Sequence, residues 1–408
     1  MPATTRRLLL FLTSLIFVPI STVLVIFFAR GYRPDFSTGQ IQPTGILVAH
    51  SYPDGAQVYV NSQLKSATNT TLNLPPGLYQ VEIRKDGFFT WKKNVTIEAE
   101  IVTRSTAVLF PTVPTLKAVT TSGATGVTAS PDDTRVVFLR RGVNQTQLYI
   151  LDITESPLGL ISREARLLTN LPNSEIKTEN YELRWSPDSR QIFITPGNYL
   201  ITISDSQTTP ITANAGIVLN DWNQRQKNRE ADRLNSLQPV LRNILATASA
   251  SLSWSPRENK LLYTATASAS LSESIKRPLP GSSTQPQNRL LNPGGVYVYD
   301  IEEDRNFLID TIILPPPSAK TKKPILSEIS NNGWFWFPTS SHLVKVTTGK
   351  VTIIEYDGQN PTEVYAGPLY ENTAIPYPSA KQLLILTDLT TTPTMATASA
   401  NLYAVNLR

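Results

Sequence analysis

The sequence predicts a mainly β chain ending in a propeller, and three observations carry that reading. First, a small residue or tryptophan, then Ser-Pro, a polar turn and a β-branched or aromatic run occur three times. The copies are Ala129-Ser130-Pro131-Asp132-Asp133 before Val136-Val137-Phe138, Trp185-Ser186-Pro187-Asp188-Ser189 before Ile192-Phe193-Ile194, and Trp254-Ser255-Pro256-Arg257-Glu258 before Leu261-Leu262-Tyr263. Second, two degenerate copies follow, Trp336-Phe337-Pro338-Thr339-Ser340 before Leu343-Val344 and Pro376-Tyr377-Pro378-Ser379-Ala380 before Leu383-Leu384-Ile385. Third, 31 Pro among 408 residues place turns too often for long helices. A unit recurring at this spacing cannot bury its faces alone and must stack on its neighbours.

Composition narrows the function classes. With 40% hydrophobic and 17% charged residues the chain is globular and lean in charge. The net charge of +5 is modest, and the basic residues are dispersed, with no stripe suited to nucleic acid. The absence of cysteine removes disulfides, thiolate catalysis and zinc-thiolate sites.

Leu8 to Ala29 is an uncharged run of Leu, Ile, Val and Phe, flanked by Arg6, Arg7, Arg30, Tyr32 and Arg33, and is predicted to span a membrane. The Phe27-Phe28-Ala29-Arg30 exit offers no small-x-small cleavage site, which favours an uncleaved signal anchor in residues 1–33 over a cleaved signal peptide. Pro19 is tolerable in such a helix. Charge is nearly balanced across the run, so it does not orient the chain. A cytoplasmic N-terminus and an extracytoplasmic or cell-surface C-terminal body are expected from the export-like N-terminus.

After a linker over 34–43, residues alternate with a two-residue period through Ile46-Leu47-Val48 and Val58-Tyr59-Val60-Asn61, joined by Pro53-Asp54-Gly55-Ala56. Proline fixes φ and glycine takes the positive φ of a tight turn. Leu78-Tyr79-Gln80-Val81-Glu82-Ile83, Lys85-Asp86-Gly87-Phe88 and Trp91 to Ile97 continue the pattern. These pieces resemble a PEGA domain over 44–111, with Asp54 where that family's turn has Glu. The resemblance implies a small β-sandwich serving as an extracytoplasmic accessory or surface module, with no reaction of its own. Tyr59, Tyr79, Phe88, Phe89 and Trp91 offer flat apolar area of the kind that stacks on sugars. In so small a sandwich they are read as core, with Phe89 set apart because Phe88 already takes the inward position.

Each later repeat continues from its turn into further strands, among them Gln147-Leu148-Tyr149-Ile150-Leu151-Asp152 and Val296-Tyr297-Val298-Tyr299-Asp300. The last blade is one strand short. Leu116-Lys117-Ala118-Val119-Thr120 has the missing strand's character, and pairing residues 115–120 with the C-terminal strand would close the ring. The turns resemble the TolB-type (WD-repeat-like) propeller repeat, Trp-Ser-Pro-Asp-Gly-Lys, over 112–408, although no copy keeps the glycine after Asp. Five blades are counted; six would require an irregular stretch to hide another. Trp185, Trp254 and Trp336 recur at one strand position and are read as packing between blades rather than a ligand cage. Glu182, Arg184, Ser251 and Ser253 alternate with them, would face differently and could polarise the channel mouth, and ordinary hydrogen bonding and salt bridging explain them as well.

Two insertions interrupt the repeats. Asp221 to Ala246 places Leu234, Leu237, Leu241, Ile244 and Leu245 at helical spacing, broken at Pro239, and is read as a helical insertion packed over the propeller rather than a docking clamp. Thr264 to Gly295 is expected to be a long flexible loop, and Pro315 to Lys323, with Lys320, Lys322 and Lys323, a similar one. Asn69-Thr70-Thr71, Asn94-Val95-Thr96 and Asn144-Gln145-Thr146 match the glycosylation pattern.

No catalytic, cofactor-binding or metal-binding residue emerges, and the ligand-binding residues are not legible. His50 and His342 fall in different domains, which argues against a Ser-His-Asp triad, and two histidines are too few for a histidine-rich metal site. Asp300-Ile301-Glu302-Glu303-Asp304 is the densest acidic cluster and reads as the cap of a solvated hairpin turn. The expectation is a membrane-anchored binding or scaffold protein without cofactor, held by residues 8–29 and meeting an envelope polymer or protein partner. The alternatives are a glycan-active enzyme using paired channel carboxylates, or a structural subunit of an envelope complex.

Overall fold

The computed structural model describes residues 3–29, 32–35, 40–142, 145–155, 164–172, 181–273, 279–314, 332–389 and 400–408. Two compact units are present: Met1–Leu109 with Ile275–Pro286, and Phe110–Ser274 with Gln287–Arg408. The loop at Pro315 to Lys323 and the Asn144 sequon residue lie outside the described residues.

The first element corrects the sequence reading. Helix α1 runs over Ala3–Ala29 and contains Pro19. Among the described residues no helix is long and apolar enough to cross a membrane. A fold class built on a spanning helix, membrane partnership through residues 8–29 and a single-pass localisation are therefore not supported.

In the first unit the alternating segments form two sheets. Gly45–Tyr52 lies between Thr70–Leu74, its antiparallel partner, and Val102–Val108, its parallel partner. The second sheet runs Gln63–Ala67, Gln57–Val60, Gly77–Arg84, Trp91–Ile97. Inward positions of both sheets supply one core, including Leu47, Val58, Val81, Ile83, Trp91, Val95 and Ile97. Tyr79 and Phe88 pack against it, whereas Phe89 is 37% exposed. Gly55 takes the positive φ of the Pro53-Asp54-Gly55 turn.

Part of the stretch expected to be a flexible loop belongs to this unit. Gly281 N–H donates to the Val102 carbonyl at 2.8 Å. Thr96 N–H donates to Thr284 Oγ1 at 3.3 Å, and Gln285 Nε2 donates to the Asn94 carbonyl at 2.7 Å. Trp91–Ile97 and Val102–Val108 are edge strands of the two sheets. The segment therefore covers backbone groups that would otherwise template pairing with another chain.

Glu82 is a buried acid within this sandwich. Its carboxylate accepts from Arg84 and lies 3.3 Å from Lys92 Nζ, and the Arg84 hydrogen bond leads in holding it below the ordinary carboxyl range. A lowered folded value means stability that is present above the unfolded value of about 4.3 and is lost as pH falls through the folded one. Glu82→Gln is expected to flatten that acid limb, read from urea midpoints between neutral pH and pH ~3.

Among the described residues the second unit carries five four-stranded antiparallel sheets. Sheet 1 is Thr125–Ala129, Arg135–Arg141, Gln145–Asp152 and Arg166–Pro172. Sheet 2 is Glu182–Trp185, Gln191–Thr195, Tyr199–Thr202 and Ile211–Thr212. Sheet 3 is Ser249–Trp254, Lys260–Ala265, Gly295–Asp300 and Arg305–Thr311. Sheet 4 is Trp334–Trp336, His342–Thr347, Lys350–Glu355 and Thr362–Ala366. Sheet 5 is Ala374–Pro376, Gln382–Thr387, Asn401–Asn406 and, from far upstream, Leu116–Ala118 in register Leu116 to Val405 and Ala118 to Tyr403. Hydrophobic clusters join neighbours: Val137 and Leu148 of sheet 1 pack with Ile192 and Ile201 of sheet 2, and Val136 and Phe138 with Leu384 and Leu402 of sheet 5.

All five repeated turns share one backbone pattern. The N–H of the residue before proline donates to the carbonyl five residues on, as in Ser130 to Arg135 and Tyr377 to Gln382. The N–H three residues on returns to its carbonyl, as in Asp133 to Ser130 and Ala380 to Tyr377. In the first three copies the serine hydroxyl also accepts from the N–H of Arg135, Gln191 or Lys260. The residue that closes the turn is left-handed in each: Asp133, Ser189, Glu258, Ser340 and Ala380, with φ between 55° and 59°.

That position favours glycine, yet two of its occupants serve a neighbour. Ser189 Oγ accepts from Asp132 N–H at 3.2 Å, linking the turns of sheets 1 and 2, and Ser340 Oγ accepts from Arg257 N–H at 3.0 Å, linking sheets 3 and 4. Ala380 has no such bond to lose. Ala380→Gly is expected to stabilise by up to about 1 kcal/mol through relief of the left-handed backbone. Ser340→Gly is expected to fall about 1 kcal/mol below it, because a hydrogen bond goes with the side chain. Thermal or urea unfolding of the two variants gives the comparison.

Between sheets 2 and 3, helix α2 covers Ala215–Asn235 and helix α3 covers Pro239–Ala248. Asn214 caps α2 by accepting from Ile217 N–H at 3.2 Å. Pro239 sits in the first turn of α3, where its missing N–H costs nothing. Leu237, Leu241 and Leu245 are buried against Tyr263, Tyr297 and Tyr299 of sheet 3, so the apolar stripe is consumed by packing.

Candidate functional site

The first strands of sheets 4, 5 and 1 border a cavity of about 230 Å³. Its lining is Phe335, Trp336 and Pro338 from sheet 4 and its turn, Ala374, Ile375 and Pro376 from sheet 5, and Ala129 with Asp133 from sheet 1 and its turn. The walls are stiff for local reasons. Pro338 and Pro376 have fixed φ, and the Trp336 indole Nε1 donates to the Ser253 carbonyl at 3.0 Å, which pins the ring between sheets 3 and 4.

Asp133 is the exposed member of this lining. Its backbone is held by the 2.9 Å bond from its N–H to the Ser130 carbonyl and by a φ of 55°. Its carboxyl stands above its ordinary value, first because surrounding protein strips solvent from it and second because of the charge on Asp132. Asp132 is committed elsewhere: Oδ1 accepts from Ser130 Oγ at 2.5 Å and Thr134 Oγ1 at 2.8 Å. Asp133 has no ion pair or hydrogen-bond donor on its carboxylate among the described residues. An apolar, aromatic cleft bearing one carboxylate without a partner among the described residues is suited to binding.

Asp300, Asp304 and Asp310 are held by cations and by N–H or O–H donors. Asp300 and Asp304 are buried, at 1% and 4% exposure, which departs from the solvated hairpin cap expected of them. Asp300 Oδ2 meets Lys260 Nζ at 2.9 Å, and its Oδ1 accepts from the N–H groups of Glu302 and Glu303. Asp304 accepts from Arg289 Nη1 at 2.9 Å and Tyr299 Oη at 2.5 Å. Burial and the Asp304 bond push the Tyr299 phenol well up. Asp310 accepts from Lys345 Nζ at 2.6 Å, Trp334 Nε1 at 2.8 Å and Asn332 Nδ2 at 3.0 Å. Its burial alone would raise its pKa, and those donors outweigh it to leave the group lowered.

The channel residues read from the sequence are not brought into one constellation. Arg184 Nε bonds Glu182 Oε1 at 2.7 Å, an exposed pair on one strand, and the Ser253 carbonyl is taken by Trp336. Glu371, which sequence reasoning missed, accepts from the N–H groups of Gly126 and Val127 with its two oxygens, tying sheet 1 to the turn before sheet 5. His50 Nδ1 lies 2.9 Å from Asn69 Oδ1, and His342 is buried beside Phe110 and Phe337. Trp185 packs where sheets 1 and 2 meet and Trp336 where sheets 3 and 4 meet, whereas Trp254 packs with sheet 3 and the helical insertion. Among the described residues no group of three His, Cys, Asp or Glu could hold a metal ion. Sequence reasoning did not single out Asp133, because the glycine after Asp is lost in every copy of the repeat.

Comparison with known proteins agrees with part of this. Residues 44–112 match the PEGA domain, so the chain carries a PEGA module; the match is a small part of the chain and does not assign the whole to a family. No curated protein matches the chain. Among solved structures, it is similar to TolB from Acinetobacter baumannii, at 13% identity over 80% of this chain and 56% of that one, TM-score 0.17. It is also similar to an uncharacterized protein from Listeria monocytogenes EGD-e, at 10% identity over 68% and 63% of the two chains, TM-score 0.19. The RRP9 WD40 repeats align at 9% identity over 72% of this chain and 97% of theirs, TM-score 0.27. The chain thus spans little more than half of the TolB structure. These scores are too low to carry an argument, and the predicted fold class is corrected to a mainly β chain, 46% strand, with three helices among the described residues.

Proposed function

We propose that this is a non-enzymatic binding or scaffold protein of the cell envelope, in which the PEGA module attaches or spaces and the five-sheet unit takes up a protein or polymer partner. The observation that carries the reading is the cavity bordered by sheets 4, 5 and 1, with a stiff aromatic wall and one carboxylate left uncommitted. Support comes also from the structural employment of Asp300, Asp304, Asp310 and Glu82, each bound to cations or N–H donors, which leaves them no part in acid–base chemistry. The PEGA module fits a surface or binding protein in general.

The test is co-sedimentation of the full chain with purified envelope polymer across a range of polymer loads. Saturable retention is expected, with no soluble sugar released. Protein remaining in the supernatant at every load overturns the polymer-binding role, and release of soluble sugar overturns the non-enzymatic one.

A further inference from the structure

The cavity's chemistry specifies what it would hold. A volume of about 230 Å³ lies below the roughly 300–1,000 Å³ of drug-sized ligand pockets, the scale of one amino-acid side chain rather than an oligosaccharide. Its lining is apolar and aromatic except for Asp133. A neutral apolar occupant would strip water from that carboxylate and return nothing, and an anion would add repulsion from Asp132 as well. A cation on an apolar stem answers both parts of the lining: the stem covers Ile375, Pro338 and Pro376, and the charge meets Asp133 beside the rings of Phe335 and Trp336. Asp132 is spent on Ser130 and Thr134. Among the described residues no lysine or arginine of this chain is paired with Asp133.

We propose that the cavity is a recognition site for a single basic side chain, arginine or lysine, presented by a partner polypeptide. The proposal deepens the binding reading above and rests on it. Phe335 supplies the aromatic contact, Asp133 the counter-charge, and the turn backbone fixes where that charge stands. Planar guanidinium would exploit both contacts at once, by stacking and by hydrogen bonding.

The probes are two capped tripeptides, Gly-Arg-Gly and Gly-citrulline-Gly, which differ in charge and match in shape. Their binding to the full chain is read from the shift of the Trp336 indole N–H resonance, assigned with Trp336→Phe. The arginine peptide is expected to bind roughly tenfold more tightly than its neutral counterpart. Asp133→Asn is expected to abolish that preference while the fold persists, because asparagine tolerates the left-handed backbone. Phe335→Ala should weaken both peptides. Equal affinity for the two peptides, no saturable shift with either, or a charge preference that survives Asp133→Asn would overturn the proposal. Polymer retention that is unchanged in Asp133→Asn, together with lost peptide preference in the wild type, would remove this proposal and leave the binding reading standing. Preferred arginine binding without polymer retention would do the reverse.

Discussion

Replacing Asp300 with alanine is expected to lower the unfolding free energy by about 3–5 kcal/mol, because it leaves a buried charge without its partner. Lys260 Nζ sits 2.9 Å from Asp300 Oδ2, and the side chains are 9% and 1% exposed. The ammonium also lies 4.7 Å from the centre of the Tyr356 ring, a contact worth about 1 kcal/mol that cannot offset full desolvation. Glu302 and Glu303 would lose the acceptor for their N–H groups in the same variant. Removing both charges together, as Lys260→Met with Asp300→Leu, is expected to recover most of the loss, since a buried pair contributes little net once its desolvation is counted. Urea unfolding of the single and double variants separates the two effects. A loss below about 1 kcal/mol in Asp300→Ala would mean that water reaches the pair.

Phe337→Ala is expected to cost a similar amount, about 3–5 kcal/mol, by opening a cavity in a closed aromatic group. Phe337 is fully buried, with ring centroids 6.4 Å from Phe110 and 6.2 Å from His342, each edge to face. Phe110 and His342 in turn stand 6.0 Å apart. The position is the one at which Ser130, Ser186 and Ser255 accept a backbone N–H in the first three turns. Phe337→Ser therefore separates two contributions: it restores a hydroxyl near the His342 N–H and leaves the void. It is expected to recover only about 1 kcal/mol of the loss, the worth of one hydrogen bond. Recovery of the full stability would show that hydrogen bonding, rather than filling space, holds this turn.

What was legible in the sequence is what short stretches dictate by themselves. The Ser-Pro turns could be found in all five copies because proline, a local hydrogen bond and a left-handed closing residue are contained within six residues, and the structure repeats that pattern even where Phe337 and Tyr377 replace serine. The PEGA module was legible for the same reason, since its turns and alternating strands are contiguous apart from the covering segment. The break at Pro239 followed from the missing N–H of proline.

The N-terminal helix shows where composition misled. Apolar content alone suggested a crossing, and among the described residues no helix is long and apolar enough to make one. The acidic hairpin shows a second limit. Asp300 and Asp304 looked solvated because their neighbours in sequence are charged, but Lys260 and Arg289, from other strands and loops, bury and neutralise them. Nor does the sequence say where residues 279–285 go, because their acceptors lie nearly two hundred positions away.

The same division holds for the candidate site. Local physics determined the turns, the alternation of the strands and the left-handed posture of Asp133, since each depends on steric limits within a few neighbouring residues. Only the tertiary structure decided that Asp133 faces Trp336, Phe335 and Pro376, because residues some 200 and 240 positions apart meet there through the packing of sheets 1, 4 and 5. Which carboxylates are spent on structure depends on partners brought from other sheets, and no pattern within one strand encodes it.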